Sequence, residues 1–387
     1  MDNIRTNLRK LKILRTFASL NITVSCLLLL FILTLWGTIA QVQNGLYLAQ
    51  ERFFHSFFFL AGGFFPFPGA QLVMWVLFFN LISVMLIRFV YSWKKIGILI
   101  IHFGILSFLV SGYIILHCAQ ESHLSLKEGQ AANFSVAFHD WELAFWEDSP
   151  QKQQRISEQT VTAVDIGQLK KERSVVLEEG FVLHLKEYFP NADAYVSGGD
   201  TNKYVNASGI QKLTSLKREK EPEKNLPGAI FDIESKDAGK AELLLYGGES
   251  KPTTLNVGER QINVSLRRQR YILPFTLKLI DFIKEEHPGT NTPKSFKSRV
   301  EIETNGAWRE KLIYMNNPLR YKDYTFYQSA FSVDEQLNET STLAVVKNSG
   351  QIMPYISTFV TFAGLIVHFV MMALSSRGPR KEESDYV

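Results

Sequence analysis

Two histidines lie inside long apolar stretches of the sequence, where an ionisable side chain is unusual. His102 lies within residues 96–118, and His368 lies within residues 353–374. About 20 apolar residues at ~1.5 Å rise cross a hydrocarbon core of ~30 Å, so each stretch is predicted to be a transmembrane helix. An imidazole in hydrocarbon is costly unless it meets a partner side chain, a protein interior or a ligand. The alternative is a packing role, with the imidazole hydrogen-bonded to a neighbouring helix.

Basic residues beside the two stretches indicate how deep each histidine lies. His102 follows Lys95 by seven residues, about 10 Å of helix, and His368 precedes Arg377 by nine residues, about 13 Å. We therefore expect the two imidazoles at similar depth in neighbouring helices. They either pair with each other or each meet a ligand or a partner protein, and the spacing leaves both interpretations open. His117, about 22 Å from His102, is expected to be an interfacial side chain.

Two further apolar stretches, residues 21–42 and 70–90, complete a predicted set of four transmembrane helices. The basic residues before the first stretch, together with Thr38-Ile39-Ala40 inside it, are also compatible with a cleavable signal peptide. The stretch is longer than the roughly 7–15 apolar residues of a signal peptide, which favours an uncleaved anchor.

Residues 43–69 connect the first two stretches and are rich in Phe, Gly and Pro. Gly62, Gly63 and two prolines interrupt them too often for a spanning helix. The aromatic residues are typical of a segment at the membrane interface. Glu51 and His55 are expected at its water side.

Residues 119–352 are polar and contain short runs in which apolar and polar residues alternate. Such alternation, bounded by Gly, Pro and Asn, predicts half-buried strands. The fold class is therefore an α+β membrane protein: four transmembrane helices with a large β-rich extracytoplasmic domain inserted between helices 3 and 4. The predicted divisions are residues 1–118, 119–352 and 353–387. The clearest strand candidates begin at Phe181, Ile262, Thr276, Val300 and Glu310.

The basic residues of the short segments predict the orientation in the membrane. They cluster before the first stretch, around Arg88, Lys94 and Lys95, and after the fourth stretch at Arg377, Arg380 and Lys381. By the positive-inside rule, both termini are cytoplasmic and residues 119–352 lie on the extracytoplasmic side. We expect a multi-pass protein of the inner (plasma) membrane, with its large domain in the periplasm.

Several classes of chemistry are excluded by composition and motifs. The formal charge of +4 is too small to indicate a nucleic-acid partner, and the two cysteines, Cys26 and Cys118, form neither CxxC nor the haem-attachment motif CxxCH. No phosphate-binding glycine loop, GxSxG, HExxH or kinase motif set is present. The histidines between residues 119 and 352 have no metal-ligand spacing. A self-sufficient soluble active site is therefore not expected.

A series of motifs along nearly the whole chain resembles the ResB/CcsB family of cytochrome c biogenesis proteins. The apolar stretch ending at Gly37-Thr38, the helix around His102, and the Lys127-Glu128-Gly129 turn are similar to features of that family. The resemblance is patchy at residues 43–69 and 190–260. Its strongest part is the ordered series Leu273-Pro274-Phe275, Asp281-Phe282, Pro293, Phe296, Ser298, Asn317-Pro318-Leu319, Tyr321 and Phe326-Tyr327-Gln328-Ser329. We expect these residues to build turns and strands of the fold and not a reaction centre.

The resemblance implies that the chain is one subunit of the system II cytochrome c synthase, a haem lyase. Such a subunit delivers haem across the membrane and helps attach it to the CxxCH motif of apocytochrome c, together with a CcsA-type haem-handling membrane protein. The six tryptophans here are dispersed, without the tryptophan-rich loop expected of that partner. The chain is therefore expected to require a partner and to carry no catalytic residue of its own.

The resemblance also implies a role for the membrane histidines. By motif, His102 is an axial ligand of a transiently bound b-type haem, because neutral imidazole suits haem iron. His368 matches less well and is a candidate alternative ligand or supporting residue. Two other classes stay open: a membrane-anchored scaffold or sensor in which the histidines pair structurally, and an electron carrier with a b-type haem between them.

Overall fold

The structure, a computed structural model, describes residues 12–147, 161–178, 181–197, 203–235, 241–257, 260–289, 293–304, 306–333 and 339–376. The described chain divides into two compact units, and each is considered by itself. One contains the N-terminal residues up to Ala119 together with the segment from Asn348 onward, and the other is Gln120–Lys347. The basic residues at positions 5, 9, 10, 377, 380 and 381, used to predict the orientation, lie outside the described residues.

The helical unit is dominated by long apolar helices. Four of its described helical stretches are long and apolar enough to cross a membrane: Leu20–Asn44, Ala70–Arg88, Trp93–Cys118 and Met353–Ser375. These helices indicate a membrane protein, as predicted. The helices are α1 (Lys12–Phe17), α2 (Leu20–Asn44), α3 (Leu46–Ala49), α4 (Ala70–Ser83, continued by a π-helical turn at Val84–Arg88), α5 (Ile96–Cys118) and α7 (Met353–Ser376), with α6 (Ile166–Glu172) in the other unit.

A buried asparagine joins α4 to the start of α2. Asn80 is 2% exposed, and its side-chain amide donates to the carbonyl oxygen of Ser19 at 3.0 Å. Thr23 donates its hydroxyl to Asn80 Oδ1 at 2.7 Å. Because an unpaired amide is costly in an apolar interior, these bonds fix how α4 packs against α2.

The connection between α2 and α4 is a short helix, a π-helical turn at Gln50–Phe54, and a hairpin of β1 (Phe58–Ala61) and β2 (Phe65–Pro68). Aromatic rings hold it against α2. Trp36 contacts Phe53, Phe59 and Phe67, with ring centroids 5.5–5.6 Å apart. The expectation that this connection is not a spanning helix is confirmed, and the hairpin is a feature that the sequence interpretation did not predict.

The second unit is built mainly of antiparallel sheets. Its largest sheet has ten strands in the order β16-β15-β14-β4-β3-β19-β18-β17, with β13 pairing to β14 and β5 pairing to β4. These strands are β3 (Gln120–Lys127), β4 (Ala131–Glu147), β5 (Thr162–Asp165), β13 (Thr253–Val257), β14 (Arg260–Glu286), β15 (Pro293–Thr304), β16 (Ala307–Tyr314), β17 (Leu319–Tyr321), β18 (Tyr324–Val333) and β19 (Glu339–Lys347).

A smaller five-stranded sheet has the order β6-β7-β11-β12-β9, and β8 pairs with β10 beside it. Period-two burial is clearest in β7, where Phe181, Leu183 and Leu185 are buried and the alternating positions between them are not. This alternation is the pattern from which the strand was predicted. The strands are β6 (Ser174–Glu178), β7 (Phe181–Phe189), β8 (Ala192–Tyr195), β9 (Tyr204–Val205), β10 (Lys212–Ser215), β11 (Gly228–Ser235) and β12 (Ala241–Tyr246).

Strand β14 runs through two separate hydrophobic cores. Its first part, including Ile262 and Val264, packs in a core with the five-stranded sheet, and its later part, including Leu277 and Phe282, packs in a second core within the ten-stranded sheet. The pairing of β14 with β4 shifts register between Ile272 and Leu277. Pro274, which lacks a backbone N–H, lies in that interruption, where a ladder bond is already missing.

The prediction of four apolar helices with a large β-rich domain is confirmed.

Candidate functional site

His102 lies on α5, and its hydrogen bond defines which nitrogen it can offer. Its Nδ1 lies 2.7 Å from the carbonyl oxygen of Ile98, one turn earlier. A carbonyl only accepts, so Nδ1 carries the proton and Nε2 holds the lone pair of the neutral ring. A backbone bond of this kind is the usual support of a histidine that ligates a metal through its other nitrogen.

The surroundings of His102 are aromatic. Its ring centroid lies 6.3 Å from that of Phe89, which follows the π-helical end of α4. Phe89 also lines a groove of about 270 Å³ with Tyr91 and Trp93. His102 itself is half-buried.

Helices α5 and α7 pack closely because glycines lie at their contact. A Cβ added at Gly97 would lie 2.6 Å from Cα of His368, and one added at Gly104 would lie 3.0 Å from Cα of Thr361. Position numbers rise on α5 by the amount by which they fall on α7, so the helices are antiparallel. Small residues at such contacts let two membrane helices approach at backbone distance.

This register separates the two histidines that the sequence predicted to lie at similar depth. Gly97 faces His368, and His102 is five residues further along α5, which is about 7.5 Å in rise and about 140° in rotation from that contact. His102 therefore points away from the α7 contact. The geometry argues against a mutual imidazole pair, and against a single ligand held between both rings within this chain.

His368 lies at the contact with α5. Its Nδ1 is buried and has no hydrogen-bond partner among the described residues. A buried nitrogen is closed to a ligand, so only Nε2 of this ring remains as a possible ligand atom. The structure does not bring His102 and His368 together into one site.

The histidines of the β-rich unit do not form a metal centre. Among the described residues, no group of three or more His, Cys, Asp or Glu side chains is arranged to hold a metal ion. His184 is exposed and pairs through Nε2 with Glu234 at 2.7 Å. Burial, followed by the charge of Arg268, lowers the pKa of His123 below its usual value.

Several motif residues of the β-rich unit, including Leu273, Phe275, Phe282, Leu319 and Phe326, lie in its core. Phe275 makes edge-to-face contacts with Tyr321, Tyr324 and Phe326, with centroids 5.0–6.0 Å apart. The hydroxyl of the fully buried Ser298 donates to Gln328 Oε1 at 2.6 Å. These contacts satisfy buried polar groups and close the sheet.

Two contacts of these motifs were missed by sequence reasoning because they join distant positions. Glu128, in the turn after β3, accepts the backbone N–H of Phe282 at 2.8 Å through Oε1. Ser341 completes the group at Ser298, accepting from Gln328 Nε2 at 3.0 Å. Neither contact has a local sequence signal, since the partners are brought together only by strand pairing.

Another polar group that the sequence did not single out lies in the helical unit. His55 Nδ1 lies 2.7 Å from Oε1 of Glu51, four residues earlier. The i,i+4 spacing of Glu51 and His55 on a helical turn was the available signal. His55 also lines a groove between α2, α4 and α5.

The arrangement first defines a class: a membrane protein with four long apolar helices and a large β-rich unit whose motifs stabilise its own core. Comparison with known proteins then identifies the family of the motif-bearing segment. Residues 240–359 match the model of the ResB-like family, which confirms the resemblance predicted from the motifs. The segment contains β12 to β19 and the beginning of α7.

A protein of known sequence agrees with this assignment. The chain is 29% identical over 115 residues to protein NrfI of Wolinella succinogenes, an alignment that spans 29% of this chain and 12% of NrfI. The chain therefore corresponds to a small part of that relative. Together the two similarities support a role in cytochrome c biogenesis in the broad sense.

Proposed function

We propose that this chain is a subunit of a system II cytochrome c synthase that holds haem in the membrane through His102. A CcsA-type protein is its partner, and apocytochrome c is the acceptor. The proposal is supported by the ResB-like segment and, above all, by the hydrogen bond that engages His102 Nδ1 with the carbonyl oxygen of Ile98. Because Nδ1 donates to Ile98, Nε2 is the nitrogen offered to iron.

The residues around His102 fit a haem ligand. Neutral imidazole is a common axial ligand of haem iron, and flat aromatic side chains such as Phe89 suit the face of a porphyrin. When bound, haem supplies the iron that imidazole holds and the vinyl groups to which cysteine thiols add. The task of this chain is then to bind and orient haem and to keep water from it, while Ile98 fixes the imidazole.

The geometry favours this function over an electron carrier with one haem between His102 and His368. Such a carrier needs both rings to face the same space, whereas His102 is turned by about 140° from the contact with α7. In our proposal the second axial ligand comes from the CcsA-type partner. His368 lies at the α5–α7 contact, where the absence of a side chain at Gly97 lets the backbone of His368 approach α5.

The proposed topology places the β-rich domain outside the cytoplasm, between the third and fourth membrane helices, in the inner membrane. The exposed Lys94 and Lys95 before α5 support a cytoplasmic location for that turn. The domain is proposed to receive apocytochrome c. Cysteine labelling with a membrane-impermeant reagent tests the orientation in a chain whose free Cys26 and Cys118 are replaced by serine. A cysteine at Lys94 should be protected in intact cells, and one at Lys212 should react.

The central experiment measures the haem spectrum of the purified chain with its partner, as wild type, His102→Ala and His102→Gly. We expect the wild type to bind haem, both variants to bind less haem, and His102→Gly to recover the lost part when imidazole is added, since free imidazole can replace a ligand. His117→Ala is the matched control, because it removes an imidazole from the other end of the same helix. A haem content of His102→Ala equal to that of the wild type contradicts the proposed ligand, and no haem in any sample favours a scaffold.

A further inference from the structure

A groove of about 430 Å³ lies in the helical unit, at the end where α2 finishes and α4 begins. Its walls come from α2, the segment before the hairpin, α4 and α5. They are mostly apolar and include Leu30, Phe54, Met74, Trp75, Phe78 and Tyr113. The polar side chains of His55 and Gln71 also line it.

The groove has flat aromatic walls and an open wall on α5. Trp75 and Tyr113 meet edge to face with centroids 5.1 Å apart, so two rings from different helices form one side. Gly112 lies on the lining, and a Cβ added there would meet no heavy atom within 4 Å. The space beside Gly112 is therefore available to a bulky planar molecule.

His55 supplies this groove with a possible metal ligand. Its Nδ1 lies 2.7 Å from Glu51 Oε1, and an ionised carboxylate only accepts, so Nδ1 donates and, in the neutral ring, Nε2 holds the lone pair. A carboxylate behind an imidazole is the usual arrangement of metal-ligating histidines, because it fixes the tautomer and makes the ring a stronger ligand. Glu51 belongs to the π-helical turn Gln50–Phe54, whose backbone also accepts the N–H of His55.

The groove is separate from the site proposed around His102. Tyr113 and His102 are eleven residues apart on α5, which is about 16 Å along the helix. One haem cannot be ligated by His102 and also fill the groove beside Tyr113. His102 would bind haem near one end of α5, and His55 would bind haem in the groove near the other end of α5.

We propose that this groove is a second haem-binding site, with Nε2 of His55 as the iron ligand and Trp75 and Tyr113 against the porphyrin. The inference rests on the proposed function only in taking haem as the cargo. A lipid chain would use the same apolar walls, but it has no need of an imidazole oriented by a carboxylate. Haem uses both the walls and the ligand.

The test is a binding titration of the full chain in lipid nanodiscs with ferric haem and with metal-free protoporphyrin IX. It uses the His102→Ala background, so that only the groove is measured. Adding His55→Ala should weaken haem binding by at least about 10-fold, because losing only the hydrogen-bond partner of a metal-ligating histidine already costs that much, and it should leave protoporphyrin IX binding unchanged. Adding Gly112→Phe should weaken the binding of both molecules, because the new ring occupies the groove.

Ile105→Phe is the matched control for Gly112→Phe, since it adds a ring at an exposed position of the same helix. It should change neither affinity. If His55→Ala and Gly112→Phe leave haem binding unchanged, the groove takes lipid only and the inference is wrong. If wild-type haem is lost with His102→Ala alone, the proposed function stands without this second site. If haem depends on His55 and Gly112 but not on His102, the second site stands and the proposed role of His102 fails.

Discussion

The contact between α5 and α7 predicts that one methyl group at Gly97 disturbs the helical unit, whereas the same group at Gly112 does not. Both glycines lie on α5, and alanine is the better helix former at either position by ~1 kcal/mol. The two substitutions therefore have the same intrinsic benefit. Their difference isolates the packing between the helices.

The size of the effect follows from the geometry. A Cβ at Gly97 would lie 2.6 Å from Cα of His368 and closer still to its backbone nitrogen, whereas ordinary contact begins at 3.4 Å, so α7 must withdraw by more than about 0.8 Å. Overpacking of this kind costs ~1–3 kcal/mol. At Gly112 a Cβ meets no atom within 4 Å. We expect Gly97→Ala to be less stable than Gly112→Ala by ~1–3 kcal/mol.

The assay is reversible unfolding of the full chain in mixed dodecyl maltoside and SDS micelles, followed by circular dichroism at helical wavelengths. Gly364→Ala provides an independent test from the other helix, because its Cβ would lie 2.7 Å from the backbone nitrogen of Ile101. It should resemble Gly97→Ala. Equal unfolding free energies for Gly97→Ala and Gly112→Ala would refute the proposed close contact, and with it the register that places His368 opposite Gly97.

Two further predictions concern the β-rich unit. Ser298→Ala leaves Gln328 Oε1 without its 2.6 Å donor and should cost ~1–3 kcal/mol in thermal unfolding followed in the β-sheet dichroism band, whereas Ser125→Ala, at an exposed hydrogen bond, should cost less. Burial lowers the pKa of His123 below its ordinary value of 6.5. Below pH 6.5 the unfolded chain therefore binds a proton that the folded chain does not bind. The free energy of unfolding should fall as the pH falls from about 7 to about 5. His123→Phe keeps an aromatic ring and should reduce this loss of stability at low pH, whereas His184→Phe, at an exposed position, should not reduce it. Equal pH dependence of stability in the two variants would contradict the assignment of the loss to His123.

The apolar helices were predictable because one physical length defines them. The hydrocarbon thickness requires about 20 apolar residues, and residues 96–118 satisfy it with the same bounds as α5. The strand beginning at Phe181 was predictable from alternation for a similar reason, and so was the run from Val300, although that run is only the later part of β15 (Pro293–Thr304). These signals are local, and each element can be recognised without its neighbours.

Other features depend on contacts between distant positions and could not be read from one segment. The candidates beginning at Ile262 and Thr276 were predicted as separate runs, yet they belong to the single strand β14, because the register shift there accommodates Pro274. The hairpin at residues 58–68 is held by rings packed on Trp36, which is more than 20 positions earlier. Aromatic composition indicated an interface but did not indicate this pairing.

The relative depth of His102 and His368 in the membrane also depends on contacts between distant positions. The distance from His102 to Lys95 and the distance from His368 to Arg377 each place a histidine relative to the end of its own helix. They suggested that the depths of the two histidines differ by about 3 Å. The contact of Gly97 with His368 gives about 7.5 Å between the levels of the two histidines. Only helix pairing determines this offset.

The rotation of His102 bears directly on the need for a partner. A haem iron in a bis-histidine site needs two imidazoles on opposite faces of one porphyrin, and α7 lies on the side of α5 from which His102 is turned by about 140°. Any second ligand for His102 must then come from a side of α5 that α7 does not occupy. In the proposed synthase, a histidine of the CcsA-type protein would fill this position. Helix geometry therefore gives a physical reason, independent of the missing tryptophan-rich loop, why this chain would require a second protein to hold haem at His102.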